Sequence, residues 1–195
     1  MHRFRLTLRL AAATTVLLPL SFATGAQAAQ APASGHATAP LATSFQAKTV
    51  AAALRNNPTG VQIAPNKVSW DNGKVIMVVP ATPDGSVTPD GSASRCPSGL
   101  LTGDWTCVFD QGSWNGTMLQ FQDAGYAQDL HYYGGSSWFT LSYANTRGQR
   151  SWIRKDQFDG DPPQYCMSGN SAASLLPSSD TRDRWIYLTT NYAHC

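Results

Sequence analysis

The stretch FDQGSWNG, residues 109–116, places Phe109 and Trp114 five positions apart, and Gly116 follows two positions after the second ring. The first ring suits a strand, where it can pack over a folded-back hairpin, and the second can fill the corner of that hairpin. Glycine allows a backbone angle that a Cβ would disfavour. The stretch therefore predicts a folded β-hairpin with its own aromatic cluster.

A related pattern, IRKDQFDG at residues 153–160, lies 44 positions further along the chain. Ile153 stands in the place of the first aromatic residue, and Phe158 and Gly160 repeat the rest of the pattern. Two such units of four strands each would form two Greek-key sheets packed face to face. The spacing therefore predicts an all-β sandwich.

Further strand signals surround these two patterns. Strand-forming or alternating residues occupy 105–109, 117–122, 138–143, 151–154 and 184–190. They are separated by glycine-rich turns, and no long helical period interrupts them. This spacing is typical of a β-sandwich or barrel.

The cysteines are Cys96, Cys107, Cys166 and Cys195. Four cysteines allow three pairings in an oxidising compartment. We favour Cys96–Cys107 and Cys166–Cys195, because each pair then lies within one half of the domain. No pair has the two-residue spacing that is typical of zinc sites.

The first 28 residues have the features of a secretory signal peptide. Arg3, Arg5 and Arg9 precede an apolar run that starts at Leu10, and the segment ends in Ala-Gln-Ala at residues 26–28. We therefore expect a secreted, extracellular protein with no membrane anchor after cleavage. Without these three arginines, 11 of the 14 basic residues remain against 12 acidic residues, a net charge of −1. This balance gives no reason to expect nucleic-acid binding.

The remaining chain divides by composition. Residues 29–43 are rich in alanine, proline, serine and threonine, which predicts disorder. Residues 44–80 predict a small segment in which a helix capped by Ser44 precedes a hairpin around Asp71-Asn72-Gly73. This segment either packs on the main domain or acts as a pro-segment.

A tandem turn-forming repeat, TPDGS, marks residues 81–95 as a linker. All four cysteines follow it. Residues 96–195 are therefore the expected disulfide-bonded domain.

The repeated pattern resembles the βγ-crystallin Greek-key signature, aromatic-x₄-aromatic-x-Gly. More narrowly, residues 96–143 resemble the secreted metalloproteinase-inhibitor family of actinobacteria. The residues that carry this resemblance are Cys96-Pro97-Ser98-Gly99, Cys107, Phe109, Trp114, Gly116, Leu119, Phe121, Leu130 and Ser136-Ser137-Trp138. The resemblance implies a βγ-crystallin-like fold and stoichiometric inhibition of an extracellular protease by a monomer.

Proteins of this fold often hold Ca²⁺ in a loop of acidic and hydroxyl residues. Here Tyr132 and Tyr133 stand at the acidic positions, and phenols are poor ligands for a hard cation. Ser137, Asn170 and Ser174 are weak candidate ligands without a carboxylate. We therefore expect no cofactor.

Enzyme signatures are weak. The chain has no glutamate, so an H-E-x-x-H zinc motif is excluded, and Ser113 lies outside a G-x-S-x-G context. A serine triad could be assembled in space, yet nothing marks a nucleophile. We expect a protein without catalytic residues.

Tyr132, Tyr133 and Tyr165 are the candidate contact residues, because aromatic side chains in loops are favoured anchors at interfaces. A disulfide-braced loop near them or near Cys107 would lose little entropy on entering a protease cleft. The alternatives are a cell-envelope-binding or killer-toxin-like protein and a Ca²⁺-stabilised crystallin-type module.

Overall fold

Antiparallel pairing of short strands organises the protein. The computed structural model describes residues 42–85, 93, 96–98, 104–122, 127–155, 165–177, 184–190 and 195. The elements in chain order are α1 (Ser44–Asn56), β1 (Val61–Ala64), β2 (Lys67–Trp70), a 3₁₀ turn (Asp71–Gly73), β3 (Val75–Val78), β4 (Thr106–Phe109), β5 (Met118–Phe121), β6 (Ala127–Asp129), α2 (Leu130–Gly134), β7 (Ser142–Asn145), β8 (Ser151–Arg154), β9 (Tyr165–Met167), β10 (Ser171–Ala173) and β11 (Trp185–Leu188). The predicted all-β class is confirmed, with two small helices.

The strands form two sheets. One has seven strands in the order β1-β2-β3-β5-β4-β7-β10, and the other has four in the order β6-β11-β8-β9. Strands β4–β7 make one four-strand unit and β8–β11 a second. In each unit the fourth strand pairs with the first. The third strand instead joins the other sheet, where it pairs with the fourth strand of the other unit. The two units are thus interlocked by exchanged strands.

The larger sheet is covered on both faces. Val108, Leu119 and Phe121 point into the main core, which also receives residues of the smaller sheet. Cys107 and Phe109 point the other way, into a second apolar cluster with Cys96 and Trp105. This explains why every residue of β4 and β5 is buried.

Helix α1 has the predicted length but a different cap. Thr43, not Ser44, caps the helix: its hydroxyl accepts the N–H of Gln46, whose side chain in turn accepts the N–H of Thr43. This reciprocal capping box satisfies two amide groups that the helix leaves unpaired. Val50 and Ala53 are buried against the sheet.

The segment 44–80 is part of the same sheet as the disulfide domain. The predicted hairpin is β2–β3, and β3 pairs with β5 in continuous register from Val75↔Phe121 to Val78↔Met118. Four paired positions and a shared core join this segment to the rest, so residues 39–195 behave as one unit.

One strand prediction was wrong. Residues 138–143 were expected to alternate, but β7 begins only at Ser142. Residues 135–141 connect α2 to β7 instead of forming a strand. In this connection Trp138 is buried and Phe139 is 45% exposed. The three-residue strands β6, β9 and β10 and the five-residue helix α2 had no recognisable sequence signal.

The stretch 109–116 folds as its pattern predicts. Phe109 is fully buried, Trp114 packs against the apolar cluster that contains it, and Gly116 has φ +74°. The Trp114 ring donates its Nε1–H to the Tyr143 carbonyl over 2.9 Å, which fixes the hairpin on β7. A Cβ at Gly116 would collide with Asp110, so the glycine is required by space as well as by angle.

The second pattern is out of register by one residue. Thr106 and Ser151 begin β4 and β8 and meet through their hydroxyls at 2.8 Å. This aligns Ile153 with Val108, both in the main core, rather than with Phe109. A one-residue slip moves a side chain to the opposite face. Ile153 therefore does not take the role predicted for it, and Phe158 and Gly160 lie outside the described residues.

Both disulfides have the pairing favoured above, Cys96–Cys107 with a Cα–Cα distance of 5.6 Å and Cys166–Cys195 with 5.8 Å. Two disulfides fit an oxidising, extracellular environment. Among the described residues, no helix is long and apolar enough to span a membrane.

Three predicted segments fall wholly or largely outside the described residues: the signal peptide 1–28, residues 29–43 and most of the linker 81–95. The described start of the linker is docked on the main domain. The Pro83 carbonyl accepts the Gln111 side chain over 2.7 Å, and the Gly85 carbonyl accepts the Gly116 N–H over 2.9 Å.

A buried polar network crosses the junction of the two units. The Asn145 side-chain amide donates to the carbonyls of Gln149, Met167 and Ser168, at 2.9, 3.2 and 3.0 Å. Its oxygen accepts the Thr106 hydroxyl and the Arg147 N–H. One side chain thus connects β4, β7, β9 and the turn before β8.

Asn145→Ala would leave several of these buried groups without partners. We expect the free energy of unfolding to fall by roughly 3–5 kcal/mol, because the five hydrogen bonds of this side chain contribute about 0.5–1 kcal/mol each. Urea denaturation followed by tryptophan fluorescence measures this change. Asn56→Ala, at an exposed position at the end of α1, serves as the control and should change stability by less than about 0.5 kcal/mol. Equal effects would contradict the assigned role of Asn145.

Candidate functional site

The edge strand β1 carries the most exposed apolar side chains of any strand in the described structure. Val61 is 63% and Ile63 is 54% exposed. β1 is the terminal strand of the larger sheet, and its outer edge pairs with no described strand. An open sheet edge with apolar side chains is a template for another extended chain, and soluble proteins usually protect such edges. This strand is therefore a candidate interaction site.

A groove of about 550 Å³ runs beside β1 and is lined by Thr59, Val61, Ile63, Ser69, Trp70 and the turn Asp71–Gly73. The position of Trp70 is fixed by its indole N–H, which donates to the Asn57 carbonyl over 3.2 Å. A Cβ at Gly60 would lie 2.4 Å from that indole nitrogen. Gly60 thus lets the chain pass close over Trp70 into β1.

The turn that closes the groove has an unusual backbone. Asp71, Asn72 and Gly73 have φ angles of 50°, 55° and 92°. Such angles suit glycine and are tolerated by asparagine and aspartate, so the composition matches the conformation. The β2–β3 connection therefore holds a fixed, left-handed shape at the end of the groove.

Tyr133 is not a contact residue. It is 4% exposed, packs edge-on against Trp70 and Phe121, and donates its hydroxyl to the Gln128 side chain over 2.7 Å. The prediction was wrong because Tyr133 lies in α2, where it points into the core, rather than in a loop. Its polar tip is satisfied, as a buried tyrosine requires.

Tyr132 is the exposed member of the predicted set, at 46%. It lies on Tyr133 with ring centroids 5.6 Å apart, beside a shallow depression that also includes His131 and the Arg184–Asp129 ion pair. Tyr165 is half-buried in β9 against Tyr143. Cys107 lies in β4 and is fully buried, so the loop expected around it is a core strand.

The outer face of the smaller sheet carries stacked cations. The guanidinium carbons of Arg150 and Arg154 lie 4.6 and 4.7 Å from the centre of the Trp152 ring, and Arg154 also lies 5.7 Å from the Tyr187 ring. Within the described part of the chain, the buried Nε of Arg150 and Nε1 of Trp152 have no hydrogen-bond partner. These stacks hold positive charge in a defined position on this face.

A further cleft of about 580 Å³, the α1 cleft, lies between α1 and the first four-strand unit. Its lining residues are Phe45, Lys48, Thr49, Ala52, Ala53, Arg55, Met77, Asp110, Thr117, Gly134, Ser137 and Trp138. The Asp110 carboxylate accepts the Thr117 N–H over 2.7 Å. Burial raises the pKa of Asp110 from 3.8 to about 6, against the opposing effect of that hydrogen bond.

The weak calcium candidates lie in turns or at the end of a strand. Ser137 lies in the turn after α2, Asn170 lies in the β9–β10 turn with φ 53°, and Ser174 directly follows β10. The described residues contain no group of three or more histidine, cysteine, aspartate or glutamate residues placed to hold a metal.

The strand at residues 61–63 is predictable from sequence, but three features were not predicted: the exposed edge position of that strand, the shielded carboxylate of Asp110 and the arginine stack on Trp152. A signal existed for each. Val61 and Ile63 alternate beside Pro58 and Gly60, Asp110 lies inside the decisive hairpin, and Arg-x-Trp-x-Arg occupies residues 150–154.

No protein-family model matches this chain, and comparisons with curated proteins and with solved structures found no similar protein.

The raised pKa of Asp110 predicts a pH-dependent stability difference. The folded protein binds this proton more tightly than the unfolded chain, so ionisation of Asp110 lowers stability as pH rises from about 4 through about 6. Asp110→Asn removes the charge and keeps an acceptor for Thr117. We expect the variant to be more stable than the parent by about 1–2 kcal/mol at pH 7, after allowance for partial exposure to water, and equal to it at pH 4.

Thermal or urea unfolding of both proteins at pH 4, 5, 6 and 7 measures this difference, and other titrating groups cancel in the subtraction. Asp84→Asn, at an exposed position, is the control. A variant that is less stable than the parent at pH 7 would contradict the assignment.

Proposed function

We propose that the protein is a secreted inhibitor of an extracellular protease that acts by stoichiometric binding and without catalysis or a cofactor. The observation that carries the proposal is the edge strand β1, which presents Val61 and Ile63 on an extended backbone. Proteases bind their substrates as extended chains, and an added strand pairs with an exposed edge through main-chain hydrogen bonds. The exposed side chains of Val61 and Ile63 can then enter pockets of the partner.

Rigidity supports the same proposal. β1 is paired with β2 at three positions, and the chain that leads into it is fixed over Trp70. A strand held in its bound conformation loses little entropy on association. Tyr132 is the other exposed aromatic candidate for contact, and it connects to the same aromatic cluster through Tyr133 and Trp70.

We propose, in addition, that the fold is a βγ-crystallin-like sandwich of two Greek-key units, as the sequence resemblance implies. Support comes from the strand order: in each unit the fourth strand returns to lie beside the first, which is the Greek-key return. The folded hairpin of Phe109, Trp114 and Gly116 supports it in the first unit. The one-residue slip at Ile153 makes the second unit a divergent copy.

Titration of the purified, oxidised protein against a thermolysin-type metalloprotease tests the inhibitor proposal. We expect loss of protease activity with a one-to-one end point. Val61→Asp and Ile63→Asp place a charge where an apolar side chain would enter the partner, and each should weaken inhibition by at least about tenfold, equivalent to about 1.4 kcal/mol.

Leu175→Asp is the matched control, because Leu175 is equally apolar and exposed but lies after β10. It should inhibit like the parent. Absence of inhibition at micromolar excess, with the protein intact afterwards, would refute the proposed function. Inhibition that all three variants retain would refute the assignment to β1.

A second candidate function, binding to the cell envelope, is favoured by the arginine stack on Trp152. The Arg150 guanidinium, fixed by stacking on Trp152, presents N–H donors in a planar arrangement that suits phosphate or carboxylate groups. Arg184 and Asp129 on the same face form an ion pair at 2.7 Å, so their charges neutralise each other. The face therefore suits an anionic wall polymer.

A pull-down on isolated cell walls tests this candidate. We expect retention that is lost between about 0.15 and 0.5 M salt and that falls at least about fivefold in Arg150→Gln. Lys67→Gln removes an exposed positive charge from β2 and serves as the control. Retention that is insensitive to salt and to Arg150→Gln would contradict this candidate.

A further inference from the structure

The α1 cleft has a charge arrangement that the proposed inhibition does not use. Asp110 lies in the cleft, and no lysine or arginine of the described residues lies within ion-pair distance of its carboxylate. The Thr117 N–H offsets part of the cost of shielding this carboxylate, and a ligand that supplies a cation would offset the rest.

The walls of the cleft are largely apolar. Phe45, Ala52 and Ala53 contribute from α1, and Met77 and Trp138 contribute from the opposite side. Its volume of about 580 Å³ lies within the range of small-molecule sites. A ligand with an alkyl chain would therefore bury apolar surface against these walls while its charged end reaches Asp110.

The opening of the cleft is basic. Lys48 and Arg55 lie on one side of α1, seven residues apart, and both are exposed. This spacing separates their Cα atoms by about 10 Å along the helix. A simple amine would be repelled at this rim, whereas a ligand with a carboxylate at its outer end would be attracted.

We propose that the α1 cleft binds a zwitterionic chain, with an ammonium or guanidinium group on Asp110 and a carboxylate between Lys48 and Arg55, such as the C-terminal lysine or arginine of a peptide. Asp110 matches the cationic end of this ligand, the apolar walls match its alkyl chain, and Lys48 and Arg55 match its carboxylate. The site is separate from β1, so it does not depend on protease inhibition.

Calorimetric or NMR titration of the oxidised protein with 6-aminohexanoate, at pH 7.5 and without a protease, tests this site. We expect saturable one-to-one binding, and at least about fivefold weaker binding of both hexylamine and hexanoate, since each lacks one charged end. Asp110→Asn should weaken binding by at least about tenfold. Lys48→Ala should weaken it about threefold, and the control Asp84→Asn should leave it unchanged.

The affinity should also depend on pH. The charged groups that line the cleft are Asp110, Lys48 and Arg55. Because the pKa of Asp110 is about 6, we expect roughly tenfold weaker binding at pH 5 than at pH 7.5 in the parent protein and no change in Asp110→Asn. Absence of saturable binding, or binding that Asp110→Asn and low pH leave unchanged, would overturn the proposal.

Discussion

The side-chain amide of Asn145 joins the two halves of the domain. Exchange of the third strand between units brings β10 against β7 and β6 against β11, so each sheet depends on the other half of the chain. The junction is necessarily polar, because strands and turns from both halves end there with main-chain groups that need partners. The Asn145 amide nitrogen lies within hydrogen-bond distance of three carbonyls, so its two N–H groups are shared among them. The hydroxyls of Thr106 and Ser151 complete the connection.

Residues 42–85, which precede the first four-strand unit, change which surfaces of the domain are exposed to solvent. β1–β3 extend the larger sheet beyond β5, and α1 covers the core beside α2. The free edge is thereby moved from β5 to β1, and a cleft is created between α1 and the hairpin of Asp110. Two of the three candidate interaction surfaces thus exist because this segment is added to the sheet, whereas the arginine stack belongs to the second unit alone.

Local features were predictable from sequence and non-local ones were not. The helix 44–56, the β2–β3 turn and the hairpin of Phe109 and Trp114 depend on residues close in the chain, so their patterns were sufficient. The pairing of cysteines followed from the division into two halves.

The failures have a common physical reason, since tertiary contacts decide them. Tyr133 looked like a loop residue, yet Trp70 and Phe121, distant in sequence, place it in the core. The register of Ile153 is set by the meeting of Thr106 with Ser151, which no spacing reveals. The site residues were predicted least well. The exposure of Val61 and the shielding of Asp110 from water both depend on how distant parts of the chain pack, which the local sequence does not show.

The position of the disulfides has a topological consequence. Both bridges lie after residue 95, so only the main chain connects residues 42–85 covalently to the rest. A break of the main chain between Gly85 and Cys96 would give two polypeptides held together by the β3–β5 ladder, the packing of α1 and the docking of Pro83 and Gly85 on the hairpin. The assembled fold could thus persist as a nicked, non-covalent complex. The same freedom from cross-links would let two molecules exchange their first segments.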